Sequence, residues 1–136
     1  MSEEPIKFAI KCIPIPQSRP RFTRGGHAYE DMKVRGYKSM VARMARIFMG
    51  ADEPLKGPLS CRLTFRMPIP SSYSAKKRNA LNDGWMIKKP DLDNLAKSVL
   101  DAFNGIIWED DSQVCVLEVR KIYGEEEGVD VEVVNL

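Results

Sequence analysis

Leu59-Ser60-Cys61-Arg62-Leu63-Thr64-Phe65-Arg66-Met67 alternates strictly between apolar and polar side chains. A period of two residues puts Leu59, Cys61, Leu63, Phe65 and Met67 on one face and Ser60, Arg62, Thr64 and Arg66 on the other. The stretch therefore predicts a strand with one buried face. Gly57-Pro58 opens it, and Pro68 and Pro70 close it. The same alternation predicts three more strands. Ile6, Phe8, Ile10 and Cys12 alternate with Lys7, Ala9 and Lys11. Cys115, Leu117 and Val119 alternate with Val116, Glu118 and Arg120, and Val129, Val131 and Val133 with Asp130 and Glu132. Gly124 to Gly128 reads as an acidic hairpin loop between the last two. Pro14, Pro16 and Pro20 end the first strand and stiffen an extended loop.

Helical spacing fills the gaps. Val34, Tyr37, Met40, Val41, Met44, Ile47 and Phe48 form one stripe, with Arg35, Arg43 and Arg46 off it, which predicts a helix over 31–49. Gly36 weakens its first turns, and Met40 and Met44 read as core filler. A short helix capped by Ser72 or Ser74 carries Lys76, Lys77 and Arg78 and ends near Gly84. Pro90-Asp91 opens a third helix. Leu92, Leu95, Ala96, Val99, Leu100 and Phe103 form its buried stripe, Asp93, Lys97 and Asp101 lie on another face, and Asn104-Gly105 stops it. One-sided strands imply a mixed or mostly antiparallel sheet with helices packed on its apolar face. The expectation is a two-layer α+β fold, with 1–136 forming a single domain.

A chain of 136 residues that is 43% hydrophobic and 29% charged can bury a core, which excludes a disordered or fibrous protein. No apolar run is long enough to span a bilayer, and Met1-Ser2-Glu3-Glu4-Pro5 begins acidic with no apolar segment behind it. A cytoplasmic protein with no membrane partner is expected. Cys12, Cys61 and Cys115 are odd in number and contain no C-x-x-C pair. Each falls on an alternating run and reads as a reduced core residue. His27 is the only histidine, which disfavours a Cys/His zinc site, and a Ser-His-Asp triad unless His27 serves it.

The net charge of +2 decides little, but the distribution is uneven. Lys7, Lys11, Arg19, Arg21, Arg24, Lys33, Arg35, Lys38, Arg43 and Arg46 crowd the first part of the chain, three of them in a loop with a Gly25-Gly26 pair. Lys76, Lys77, Arg78, Lys88 and Lys89 make a second basic block, while Glu125, Glu126, Glu127, Asp130 and Glu132 gather late. A polyanionic partner and a merely solvated surface account for this equally well.

The stretch that carries chemistry is Lys89-Pro90-Asp91-Leu92-Asp93-Asn94-Leu95-Ala96-Lys97, followed by Glu109-Asp110-Asp111. Asp91 is a natural N-cap, so its carboxylate leans over the helix start. Asp93 lies in the first turn, and Lys97 one turn further on the same face. A fold that returned the turn at Asp110-Asp111 to this point would assemble carboxylates and a lysine. Aspartate oxygens are hard ligands suited to Mg²⁺ or Mn²⁺. Such an ion activates water and neutralises charge on a phosphate. The same residues also admit a plainer account: Asp91 only a cap, Asp93 a complement to the helix dipole or an ion pair with Lys97, and Asp110-Asp111-Ser112 only a turn.

The combination Asp91-Leu92-Asp93-Asn94-Leu95-Ala96-Lys97, then Ala102-Phe103-Asn104-Gly105 and Trp108-Glu109-Asp110-Asp111-Ser112-Gln113-Val114, resembles the RusA family of Holliday junction resolvases. The family pattern runs D-x-D-N-x-x-K, a helix, then D-D-x-Q-[VI]. Ser18-Arg19-Pro20-Arg21-Phe22 and Lys88-Lys89-Pro90 are similar to it as well. The resemblance implies a dimeric, Mg²⁺-dependent endonuclease, often prophage-borne, that nicks opposed strands of a four-way junction. It implies that Asp91, Asp93 and Asp111 are catalytic and metal-binding, that Lys97 is the catalytic lysine, and that Asp110 is a neighbouring acid of lesser role.

On this view Lys97 stabilises or positions the phosphate and is not the base. DNA affinity is expected from Arg19, Arg21, Arg24, Lys76, Lys77, Arg78, Lys88 and Lys89. Phe22 and Tyr29 either stack at an opened junction or pack on the domain. Trp85 and Trp108 read as core or dimer-interface residues. Lys7, Lys11, Arg62 and Arg66 lie on the polar strand face, where solvation alone explains them. Competing readings are a nuclease for other branched DNA, a junction-binding protein that does not cleave, and a metal-dependent phosphohydrolase acting on nucleotides.

Overall fold

The computed structural model describes residues 4–19 and 21–136. Pro20 and the acidic start Met1-Ser2-Glu3, both used above, lie outside the described residues. In chain order the elements are β1 (Ile6–Lys11), β2 (Arg21–Phe22), β3 (Ala28–Tyr29), α1 (Met32–Met49) and β4 (Leu59–Pro68). After them come α2 (Ala75–Leu81), α3 (Leu92–Ala102), a 3-10 turn (Asp111–Gln113), β5 (Val114–Gly124) and β6 (Gly128–Asn135). Strands β1, β6, β4 and β5 form one mixed sheet in that spatial order. β6 runs antiparallel to both β1 and β4, whereas β4 and β5 are parallel. The fold is α+β, as the alternating strands require.

β4 is interior, and its alternation is mirrored in its burial: Leu59, Cys61, Leu63 and Phe65 are fully buried. Facing them in register are Val129, Val131 and Val133 of β6, which in turn pair with Ile10, Phe8 and Ile6 of β1. Helices α1 and α3 close over this apolar face. Trp108, Phe65 and Phe103 are the largest fully buried side chains. Phe103 and Trp108 meet edge to face at 5.6 Å, and the indole N–H donates to Asn104 Oδ1 at 2.9 Å, so the polar tip of the buried ring is satisfied.

The expected hairpin between the last two strands is not what forms. β4 lies between β5 and β6, so the acidic loop steps over the end of β4. Alternation marks which residues face the core, but it is silent on which strands are neighbours. Two arginines brace the step. Arg66 of β4 donates to the Glu126 carbonyl and pairs with Asp130 at 3.0 Å. Arg78 pairs with Glu125 at 2.9 Å and donates to the Ile69 and Pro70 carbonyls.

Other expectations shift for identifiable reasons. On α1 the buried residues are Val34, Tyr37, Val41, Ala45 and Met49, so Met44 and Ile47 turn outward. Phe48 is half exposed but stacks on Phe8 at 4.5 Å. Cys61 is in the core, where burial pushes its thiol up to about 12. Cys12 is partly buried, and Cys115 is exposed at the register shift where β5 begins to pair with β4. Trp108 is core, but Trp85 is 71% exposed and is not. The short hairpin β2–β3, closed by Thr23 and His27, was not legible in the basic loop.

The polar face of the sheet pairs its arginines with acids, while Lys7 and Lys11 of β1 stand exposed beside them. Arg62 pairs with Glu118 and with Glu132, Arg66 with Asp130, and Arg120 with Glu118. Its arginines are therefore engaged before any partner arrives.

One side chain ties the corner before β5 to the sheet. The Gln113 amide donates to the carbonyls of Leu55 at 3.0 Å and Gly57 at 3.1 Å. Its oxygen accepts from the Glu109 and Asp110 amides at 2.9 and 3.2 Å. The corner that carries Asp110 and Asp111 is thus held to the entrance of β4.

Two predictions follow from this packing. Gly128 sits where an added Cβ would stand 2.5 Å from the Ile10 carbonyl oxygen. Gly128→Ala should therefore lower stability by about 1–3 kcal/mol in a urea titration; an unchanged midpoint would show that the β1–β6 spacing is wrong. Gln113→Leu should speed hydrogen exchange at the Glu109 and Asp110 amides while the β4 amides stay protected. Unchanged exchange at the corner would show that the clamp does not hold it.

Candidate active site

Helix α3 begins at Asp91, whose backbone (φ −71°, ψ 141°) has the extended form of a cap residue. Its carbonyl accepts from the Leu95 amide at 3.2 Å. Among the described residues its carboxylate makes no capping hydrogen bond. It accepts from Lys89 Nζ at 2.8 Å instead. That hydrogen bond and charge, with a smaller contribution from Lys121, hold the Asp91 carboxyl below the ordinary carboxylate range. The same contact raises the Lys89 ammonium above its ordinary value. The Asp91 side chain is therefore ionised, exposed and not spent on the helix.

Asp93 lies in the first turn, and Lys97 one turn on. The Asp93–Lys97 ion pair of the plainer account is not among the contacts of the described residues. Lys97 Nζ stands 3.6 Å from Asp101 Oδ2, one turn further along. Asp101 is itself held at 3.2 Å by Lys38 of α1, which also binds Glu30 at 3.1 Å. Glu30 follows β3, so a chain of alternating charge connects the base of the basic hairpin to Lys97.

At the corner, Asp110 is the cap of the 3-10 turn and accepts from the Ser112 amide at 3.0 Å. Hydrogen bonding at Ser112 also lowers its carboxyl from the ordinary value. Asp110 is thus committed to shaping the turn, and its neighbour Asp111 is left to face outward. Asp111 lines a groove of about 650 Å³ between α3 and β5 together with Asp93, Lys97 and Asp101. The floor of the groove is apolar, from Leu92, Ala96, Leu100 and Val119.

The structure therefore brings Asp93, Lys97 and Asp111 to one groove, and leaves Asp91 beside it, turned to Lys89. Among the described residues no three acidic, histidine or cysteine side chains lie close enough to hold a metal ion. Like charges repel without a cation between them, and Lys89 offers Asp91 a nearer counter-charge. The donor chemistry nevertheless suits a hard divalent ion. All candidates are aspartates, they border solvent, and Mg²⁺ needs few protein oxygens because it keeps much of its water.

Basic residues approach the start of α3 from two directions. The loop after β1 docks on α3 itself: the Gln17 amide donates to the Asn94 carbonyl at 2.9 Å, and the buried Ser98 hydroxyl to the Ile15 carbonyl at 2.7 Å. Exposed Arg19 follows that anchor, and Arg21 and Arg24 lie on the hairpin, with Arg21 paired to Asp31 at 3.2 Å. Exposed Lys88 and Lys89 arrive from the other side. Lys76 and Lys77 are exposed on α2, Lys77 standing 3.8 Å over the Tyr73 ring. Arg78, by contrast, is engaged in the brace described above. Phe22 and Tyr29 are both exposed on the hairpin.

Three contributors escaped the sequence reading. Asp101 was placed on the right face of α3 but given no role. Gln113 was quoted only as part of a motif. Lys121 was not noticed, although a charged residue in the apolar row Leu117, Val119, Tyr123 is a legible anomaly.

Among the described residues no helix is long and apolar enough to cross a membrane. The family model described as "Endodeoxyribonuclease RusA" matches residues 12–134. An uncharacterized protein of Bacillus subtilis (strain 168), YqaN, is 37% identical over 133 residues, covering 93% of each chain. The match spans both the D-x-D-N-x-x-K stretch and the corner at Asp110-Asp111, and on that ground this chain belongs to the RusA endodeoxyribonuclease family.

Proposed function

We propose that this chain is a single-domain, cytoplasmic, Mg²⁺-dependent endonuclease that resolves Holliday junctions by paired symmetric nicks. The observation that carries this reading is the shared groove of Asp93, Lys97 and Asp111 beside the ionised Asp91, in a chain of the RusA family.

Asp91, Asp93 and Asp111 would hold the ion, with Mn²⁺ an acceptable substitute. When bound, such an ion supplies an activated water and neutralises charge on the transferring phosphate. The chain's own residues do the rest. Holding the ion would free Asp91 from Lys89, whose ammonium would then be available to the adjacent DNA backbone. Lys97, steadied by Asp101, presents its ammonium to a non-bridging phosphate oxygen and stabilises charge that grows in the transition state. Hydrolysis breaks the bond from phosphorus to the 3′ oxygen, leaving a 5′-phosphate and a 3′-hydroxyl that a ligase can rejoin.

Arg19, Arg21, Arg24, Lys76, Lys77, Lys88 and Lys89 grip the phosphates, and contacts of this kind carry most of the affinity. Arg78 acts mainly by bracing the loop after β5. A four-way junction has approximate two-fold symmetry, so a C2 homodimer presents two matched sites to it. β5 borders the groove and leaves Leu117 about half exposed there, an apolar edge that a second copy would cover.

Asp91→Asn should abolish cutting of a synthetic four-way junction in Mg²⁺ while junction binding remains measurable in a gel-shift assay. Cutting at the wild-type rate would remove Asp91 from the mechanism. Lys97→Met should slow single-turnover cleavage by about 10²–10³-fold with little change in junction affinity. A Lys97→Met protein that cuts normally would refute the charge-stabilising role.

A further inference from the structure

Lys121 stands where the pattern of β5 calls for an apolar side chain. It shares a face with Leu117, Val119 and Tyr123, and pairs in register with the buried Phe65 of β4. A partly buried ammonium at such a position is costly unless its donors find acceptors. Those acceptors are both in the segment that leads into α3. Lys121 Nζ donates to the Lys88 carbonyl at 2.6 Å and to the Pro90 carbonyl at 2.7 Å. Hydrogen bonds from an ionised donor are roughly twice as strong as neutral ones, so this is a firm tie.

The backbone of the same stretch of β5 holds the segment further upstream. The Met86 amide donates to the Lys121 carbonyl at 3.2 Å, the Tyr123 amide to the Gly84 carbonyl at 2.9 Å, and the Asp83 amide to the Tyr123 carbonyl at 2.9 Å. Residues 83–90 are therefore fastened to one end of β5, and the last fastening precedes Asp91 by a single peptide unit.

We propose that Lys121 is a positioning residue for Asp91: its ammonium fixes the Lys88 and Pro90 carbonyls and thereby sets where the Asp91 carboxylate stands when it leaves Lys89 for a divalent ion. The proposal rests on the reading of Asp91 as a catalytic acid. A direct role on DNA is disfavoured, because the ammonium is turned inward onto main-chain oxygens of its own chain. The partly buried side chain lies on the helix-covered face of the sheet, unlike the exposed Lys88 and Lys89.

The test compares full-length Lys121→Met, Lys121→Arg and Asp91→Asn. Met keeps most of the aliphatic stem and removes the donors, while Arg restores donors at slightly greater reach. The readouts are single-turnover cleavage of a four-way junction in Mg²⁺, junction affinity without Mg²⁺, thermal stability, and Mn²⁺ affinity of the DNA-free protein by calorimetry. Lys121→Met should lose about 10–100-fold in cleavage rate and a similar factor in Mn²⁺ affinity, as is usual when a residue supporting a metal ligand is removed. Its junction affinity and stability should stay near wild type, and Lys121→Arg should recover part of both losses. A wild-type rate in Lys121→Met overturns the proposal. So does a loss of rate matched by a loss of junction affinity, which would make Lys121 a DNA contact, or by a loss of stability, which would make it a fold residue. Normal cutting by Asp91→Asn would bring down the reading of the site itself. Dead Asp91→Asn beside fully active Lys121→Met would bring down only the positioning role.

Discussion

The parallel pairing of β4 with β5 is the constraint on which the rest depends. Parallel neighbours cannot be joined by a tight turn, so the chain between them must leave the sheet and return. That crossover, residues 69–113, contains α2, α3, Asp91, Asp93, Lys97 and the corner at Asp110-Asp111. Nearly everything chemical in the molecule is therefore carried on one excursion, and the two strands that require it also brace it. Gln113 fastens its end to the entrance of β4, and the far end of β5 fastens the segment before α3.

Charge is distributed with the same economy. On the open face of the sheet Arg62 and Arg66 are matched by acids of neighbouring strands, and Arg120 by Glu118 of its own strand. The exposed residues expected to bind DNA sit elsewhere, on or just before the hairpin, on α2 and just ahead of α3. The acids of α3 and the corner are less fully compensated. Asp93 and Asp111 border a groove with an apolar floor, and Asp91 is balanced by a lysine that a divalent ion would displace. Under the proposed function, a divalent ion would replace the Asp91–Lys89 contact already present.

Much of this was legible in the residues. Strict alternation located the β1, β4 and β6 cores, and helical spacing with Pro90 and Asn104-Gly105 bounded α3 closely. Spacing together with the family pattern singles out the acids and Lys97 as candidates. What could not be read were properties that alternation does not encode. Strand order is one: the step of the acidic loop over β4 depends on a long-range pairing, and a run of glutamates between two strands looks like a hairpin either way. Strand register is another: Cys115 falls where the pairing of β5 with β4 shifts, which alternation does not reveal. The stripe of α1 was ambiguous because apolar residues occur on more than one side of it, and packing chose Ala45 and Met49 over Met44 and Ile47. Lys121 and Gln113 act on main-chain oxygens distant in sequence, and contacts of that kind leave almost no local signature.

The central claim is that the acids at the start of α3 and at the corner serve one divalent ion. Its most direct test is a crystal of the protein soaked in Mn²⁺ and measured at the manganese absorption edge. The account requires an anomalous peak within coordinating distance of Asp91, Asp93 and an Asp111 carboxylate, supplied by the same chain or by a second copy, with the Asp91–Lys89 contact opened. A map with no peak at these carboxylates, and Asp91 still closed on Lys89, would contradict it.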